Sequence, residues 1–197
     1  MARRTYTLGR RGAAAEETRR RIVEATAALH AQRGILRTTM KDIAERAGVG
    51  VGTVYHHFPT YDDAVQACAE LHRDLLALPG PEVFDGARDR AERVRALSRA
   101  VFALWDSAPG LERVRAEQAD VPVVRAFFRD AGAALRALAA EALGQAGRPG
   151  DAELMLALLE LQVCRALTEA GLSADDAADR VAEVLNAWRD AVESQPQ

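Results

Sequence analysis

The 197-residue sequence has two cysteines, Cys68 and Cys164, 96 positions apart and with no second pair. Neither a disulfide framework nor a structural zinc site is supported, and both thiols are expected free and buried. Aromatic residues make up only 5% of the chain, and no stretch alternates apolar and polar residues, which excludes a series of β-strands. No uninterrupted apolar run exceeds six residues, as at Leu154–Leu159, far short of the roughly 20 that a bilayer-spanning helix needs. The start, Met1-Ala2-Arg3-Arg4, is basic but lacks the apolar stretch of a secretory signal, so the expected location is the cytoplasm, with no membrane partner. No repeat with a period of about 20–50 residues suggests a solenoid. A nucleophile elbow, a phosphate loop, a His-Glu zinc motif and a dinucleotide fingerprint are all missing, so neither enzyme chemistry nor a cofactor is expected.

Apolar residues form 49% and charged residues 28% of the chain, the mix of a globular protein with a packed core. The length allows one large domain, or a small one plus a medium one. The net charge of −3 conceals an asymmetry: residues 1–60 hold eleven Lys and Arg against five acids, whereas residues 61–197 carry a balance of −9. A basic segment on an acidic chain favours contact with a polyanion, although a solvated basic face without a partner has the same composition. Lys41 is the single lysine among the 26 basic residues.

Ala, Leu, Arg and Glu dominate throughout, and breakers at Gly34, Gly48, Pro59, Pro79-Gly80-Pro81, Pro109-Gly110, Pro122, 144–150 and Gly171 leave room for about nine helices. The first, over roughly residues 14–33, places Ile22, Ala25, Thr26 and Leu29 on one stripe. The second opens at Thr39, where Thr39-x-x-Asp42 reads as a capping box and Met40, Ile43, Ala44 and Ala47 form the apolar face. It stops at Gly48, and a third short helix follows at once, which makes a helix-turn-helix. In the third helix Val54 and Phe58 face inward, leaving Gly52, Thr53, Tyr55 and His56 outward with His57 at the edge. Hydroxyls, imidazoles and a phenol suit phosphate oxygens and base edges better than mere solvation. Gly50 and Gly52 each cost helix stability, about 1 kcal/mol relative to Ala in a helix interior, which close approach of a partner to the backbone would explain. A short packing helix has the same spacing, and spacing alone leaves both readings open.

The run from Thr39 to Phe58, TMKDIAERAGVGVGTVYHHF, resembles the helix-turn-helix signature of TetR-type transcriptional regulators, and the likeness extends more loosely back through Ile22–Leu29 and Arg33-Gly34. The resemblance implies that Thr39 bonds a phosphate, that Lys41 reaches a base or phosphate, that Gly50, Val51 and Thr53 lie nearest the bases, and that Tyr55 and His57 bind phosphates. Tyr61 departs from the pattern: it stands where family members commonly have a lysine that contacts the backbone. Before the first helix, Arg3, Arg4, Arg10 and Arg11 around Gly9 and Gly12 read as a disordered basic arm, suited either to a narrow minor groove or to solubility alone.

Beyond Pro59 the residues say less. Phe102, Trp105, Phe128, Gln162 and Arg165 are candidates for an effector pocket of apolar walls with a few polar groups, although packed core explains the aromatics equally. Leu154–Leu167 is apolar nearly all round, and Val181, Val184, Leu185 and Trp188 recur at helical spacing. With Leu158 and Leu161 they suit a four-helix seam between two copies, in agreement with the dimer interface that the resemblance implies for the last two helices. Cys68 and His72 share a helix face, but two ligands make a weak metal site, and none is expected.

The expectation is an all-α protein: residues 1–60 a three-helix DNA-binding domain with a basic arm, residues 61–197 a larger helical bundle for effector binding and dimerisation. Its expected function is transcriptional regulation, in the sense of a repressor released from a pseudo-palindromic operator by a small-molecule effector. The competing expectation is an all-helical enzyme or metal-binding bundle whose helix-turn-helix is incidental.

Overall fold

The computed structural model describes residues 3–75, 78–144 and 148–194, with side chains from residue 12 onward except at 72, 74, 75 and 193. Among these residues the chain is all-helical. The helices are α1 (Arg3–Arg33), α2 (Met40–Ala47), α3 (Val51–His57), α4 (Tyr61–Leu75), α5 (Arg90–Ser107), α6 (Leu111–Ala116), α7 (Pro122–Leu143), α8 (Asp151–Leu158), α9 (Leu161–Glu169) and α10 (Ala174–Glu193), with one 3-10 turn at Pro81–Phe84. No described helix is long and apolar enough to cross a membrane.

The chain divides into two compact units, one of Met1–Leu75 with Gly110–Phe127, the other of Leu76–Pro109 with Phe128–Gln197. By packing, the first unit thus takes in α4 and α6 as well as the residues before position 60. Its core is Ile22, Val23, Ala25 and Leu29 of α1, Met40, Ile43, Ala44 and Ala47 of α2, Val54 and Phe58 around α3, and Ala64 and Ala67 of α4. Ile22, Ile43 and Val54 are wholly buried, each contributing about 1.5–3 kcal/mol. One difference from the sequence reading is at the start. Helix α1 runs unbroken from Arg3 instead of beginning near residue 14, so the backbone of the basic segment is helical and not a disordered arm. No proline interrupts residues 3–33, and Glu17-Arg20-Glu24 ion pairs at helical spacing support the exposed face.

Two capping boxes start the short helices. The Thr39 amide donates to the Asp42 carboxylate (2.9 Å) and the Asp42 amide donates back to the Thr39 hydroxyl (3.3 Å). Thr60 and Asp63 repeat the arrangement at the head of α4. Gly48 closes α2 at φ +66°, a left-handed conformation that glycine adopts without a Cβ clash. Helix α6 joins this unit through Gly110, where an added Cβ would lie 2.5 Å from the Ala31 carbonyl oxygen; only glycine lets the chain pass that close.

In the second unit α5 and α10 run antiparallel, as the pairs Arg90–Asp190 and Arg99–Asp179 require. Val94, Leu97 and Val101 of α5 share a core with Ala177, Ala178, Ala182 and Leu185 of α10, whose small residues permit close approach. The apolar stretch Leu154–Leu167, read from sequence as one buried segment, is broken at Leu159–Glu160. Neither glycine nor proline causes the break. The Trp105 indole N–H donates to the Leu159 carbonyl at 2.8 Å, while the Val163 amide bonds Glu160 instead, so a side chain from α5 satisfies the carbonyl that the break exposes. Arg189, wholly buried, meets Asp151 at 2.5 Å.

Two outcomes follow from these contacts. Removing one member of a buried ion pair strands the other, so Asp151→Ala is expected to destabilise the protein by about 3–5 kcal/mol in denaturant titration; a loss near zero would mean that Arg189 does not depend on this carboxylate. The Asp42 carboxyl is held down to about 2 by the Thr39 hydroxyl, then by Arg33 and the Thr39 amide. A depressed carboxyl stabilises the fold above its unfolded value, near 4, and loses that contribution as pH falls through its folded value. Asp42→Asn is therefore expected to flatten the dependence of melting temperature on pH between about 4 and 2; an unchanged slope would refute the assignment.

Candidate nucleic-acid interface

The outward side of the helix-turn-helix is built by what its inward side buries. Val54 and Phe58 sit in the core, and Arg19 lies over the Phe58 ring at 4.9 Å. Rotation about α3 is thereby fixed, and Val51, Gly52, Tyr55 and His56 are exposed, Tyr55 at 51%, with Thr53 and His57 half-buried. The two imidazoles meet edge to face at 5.5 Å. Thr39, Lys41 and Gly50 are exposed as well. Every DNA-contact candidate from Thr39 to His57 therefore lies on solvent-accessible surface of α2, α3 or the turn between them. Arg3 and Arg4 belong to α1 by backbone, and their side chains lie outside the described residues.

The glycines of α3 are informative. A Cβ at Gly52 would meet nothing within 4 Å, and one at Gly50 only the Thr53 hydroxyl at 3.8 Å. Gly50 has an ordinary φ of −68°. Neither position needs glycine for the fold, unlike Gly48; Gly50 is the N-cap of α3, where glycine costs little, whereas the cost of Gly52 inside the helix has no return inside the molecule.

The Thr39 hydroxyl donates to Asp42 at 2.6 Å, and Arg33 reaches the same carboxylate at 2.6 Å. A phosphate at the head of α2 has to draw the Thr39 proton away from Asp42. Tyr61 does not stand in for the missing lysine. Its hydroxyl is turned inward, donating to the Ile35 carbonyl at 2.6 Å and lying 3.0 Å from His30 Nε2, and burial raises its pKa above the ordinary phenol value. Cys68, buried on α4, faces His30 Nδ1 at 3.5 Å, its thiol pushed up to about 12 by burial. Its expected companion His72 has its side chain outside the described residues. Among the described residues no group of three or more His, Cys, Asp or Glu is placed to hold a metal ion.

The effector-pocket candidates differ in burial. Phe102 is wholly buried in the core of the second unit, Trp105 is committed to Leu159, Phe128 is half-buried, and Gln162 and Arg165 are exposed, the latter paired with Glu169 at 2.8 Å. Of the seam residues, Val181 and Leu185 are consumed by the unit's own core and Leu161 is buried, because the apolar pattern of each helix covers two arcs and the inner one packs first. Leu158 and Trp188 are half-buried, and Val184 is 59% exposed. Sequence reasoning missed the exposed Leu154, Ala157, Ala187 and Ala191. With Val184 the last two make an outward stripe at spacings of three and four, edged by Trp188, which packs against the core; that periodicity was the available signal. It also missed Glu117, whose carboxylate accepts the Ile35 and Leu36 amides at 2.6 and 3.2 Å, a contact across more than 80 positions that no local pattern encodes.

Residues 22–68 match the family model of bacterial regulatory proteins, tetR family. The chain is 33% identical over 81 residues to the transcriptional repressor KstR2 of Mycobacterium tuberculosis, covering 41% of this chain and 40% of the relative. It is 49% identical over 59 residues to the transcriptional regulator TtgR of Pseudomonas putida, covering 29% and 28%. The match thus spans at most about two fifths of these curated relatives. Over 88% of this chain and 99% of the other, the fold is that of a TetR-family transcriptional regulator from Rhodococcus sp., with a TM-score of 0.65 and 20% identity. The helix-turn-helix is accordingly not incidental to a helical bundle: residues 22–68 are similar to the tetR family of bacterial regulatory proteins, and the chain shares its fold with such a regulator.

Proposed function

We propose that this protein is a DNA-binding transcriptional regulator, a cytoplasmic repressor that acts as a homodimer on a pseudo-palindromic operator and is released by a small-molecule effector. The observation that carries the reading is the outward face of α3: an exposed phenol and imidazole beside two glycines that the fold does not use. Without side chains at 50 and 52, the backbone can approach base edges, leaving Val51 for a thymine methyl and Thr53 for a hydrogen bond. Thr39, Tyr55 and His57 hold phosphates, and Lys41 a phosphate or base. The repressor sense is supported by the likeness to KstR2, itself named a transcriptional repressor.

A dimer sets two α3 helices about 34 Å apart, one turn of DNA. Its seam is the outward apolar surface of α8 and α10, that is Leu154 and Ala157 with Val184, Ala187 and Ala191, edged by the half-buried Leu158 and Trp188 that also pack against the core, and not the inward residues of those helices. An effector that prefers a differently spaced dimer lowers operator affinity by shifting the population. Trp105 and Phe128 are the aromatic residues of the original set that stay partly accessible to such a ligand.

Selection from a pool of randomised duplexes is expected to enrich a pseudo-palindrome. Tyr55→Phe is expected to weaken enriched and scrambled duplexes alike, by about fivefold, because a phosphate contact positions the helix without reading sequence. Recovery of no duplex at moderate salt would overturn the reading. For the dimer, Val184 and Leu185 are neighbours with opposite fates, 59% and 0% exposed. Val184→Glu is expected to give folded monomers by light scattering, whereas Leu185→Asp unfolds the chain by burying a charge. A Val184→Glu protein that stays dimeric places the interface elsewhere.

A further inference from the structure

The turn between α1 and α2 is held in a way that neither helix requires. Ile35 has its side chain buried, its amide donated to the Glu117 carboxylate at 2.6 Å, and its carbonyl taken by the Tyr61 hydroxyl at 2.6 Å and the Thr38 amide at 3.0 Å. Both polar ends of one residue are therefore gripped, one from α4 and one from the C-terminal end of α6. The Tyr61 end is itself oriented. Because its only proton goes to Ile35, its oxygen accepts from His30 Nε2, which leaves His30 Nδ1 to accept from the Cys68 thiol. Glu117 is oriented by the seat of α6: Gly110 passes against Ala31, and the Arg113 guanidinium donates to the Gln32 carbonyl, satisfying a terminal carbonyl of α1. Gly34 completes the fit, with φ +91° and no Cβ where one would lie 2.3 Å from the Glu117 carboxylate.

We propose that Glu117 and Tyr61 form a grip on Ile35 that fixes the head of α2, making Glu117 a positioning residue for the DNA contacts of Thr39 and Lys41. Only Leu36, Arg37 and Thr38 separate the gripped residue from Thr39. Thr38 is tied back to Gly34 through its hydroxyl at 2.8 Å, and Arg33 bridges to Asp42 across the same turn. The segment is too short and too bonded to absorb a displacement, so a shift of α6 is passed to the cap of α2. The inference rests on the DNA-binding reading above, and it assigns Glu117 an effect opposite in sign to its charge. An acid near the interface repels phosphate, and its removal by charge alone raises affinity for every duplex; as a positioning residue, its removal lowers affinity for the enriched one.

The test uses the full chain and the duplex that the wild type enriches from a randomised pool. Glu117→Ala is expected to bind that duplex at least about fivefold more weakly, whereas Glu117→Gln, whose amide oxygen still accepts both N–H groups, stays near the wild type. Hydrogen exchange at the Ile35 and Leu36 amides is expected to rise at least about tenfold in Glu117→Ala with the core amides of α2 unchanged. Tyr61→Phe, which deletes only the hydroxyl, is expected to weaken the same duplex and guards against a Glu117→Ala chain that folds poorly. Alanine and phenylalanine variants that bind as tightly as the wild type or tighter, with slow exchange at residues 35 and 36, overturn the grip. If the wild type enriches no duplex, the DNA-binding reading fails, while the exchange measurement, which needs no DNA, decides the grip on its own.

Discussion

A helix of seven residues has no stability of its own, so whatever α3 presents depends on the side chains that seat it. Val54 and Phe58 do this, buried in the same apolar cluster as Ile22 of α1 and Ile43 of α2. Their spacing of four fixes which arc of the helix turns outward, and the left-handed Gly48 fixes the turn by which α3 leaves α2. Tyr55, His56 and the two glycines are thus displayed by packing and not by helix propensity, which at Gly52 points the other way. Local choices that oppose the fold are expected where function outweighs stability.

The helix-turn-helix was legible in the sequence because its determinants are local. Thr39 and Asp42 announce a capping box three residues apart, Gly48 announces the stop, and period 3.6 separates Val54 and Phe58 from the display face. What could not be read is what depends on distant partners. The break at Leu159–Glu160 carries no glycine or proline and is completed by Trp105, 54 positions away. The membership of α6 in the first unit rests on Gly110 against Ala31, and a glycine beside a proline reads in sequence merely as a turn.

The seam residues illustrate a different limit. Helix α10 is apolar on two arcs, Val181 and Leu185 on one, Val184, Ala187 and Ala191 on the other, with the half-buried Trp188 packed against the core between them. Hydropathy alone does not say which arc meets the protein's own core and which is left for a second copy. Small residues hold the answer: Ala177, Ala178 and Ala182 lie on the Val181 side, all buried, where α5 approaches closely. Tyr61 is a comparable case. It stands where the resemblance places a backbone-contacting lysine, and the nearby His30 and the Ile35 carbonyl offer its hydroxyl two partners, by which the half-buried phenol is held.

Charge follows the same division as packing. In the second unit Arg95 and Arg99 meet Asp179, Arg136 meets Glu153, and Arg189 meets Asp151. The pairs to Asp179 and Glu153 are exposed and add little to stability, unlike the buried Arg189–Asp151 pair, but all of them cancel one another's field. Around α2, Arg37, Lys41 and Arg46 are exposed within a segment whose eleven basic residues outnumber five acids. A polyanion at a distance greater than any contact is therefore drawn to one unit and repelled by the acidic remainder, which orients the encounter before α3 touches it. Steering of this sort carries no sequence information. On the proposed reading, discrimination comes from the few ångströms over which Val51, Thr53 and two bare stretches of backbone would meet the bases, and at that range the position of α2, which the proposed grip sets at Ile35, would decide whether they meet at all.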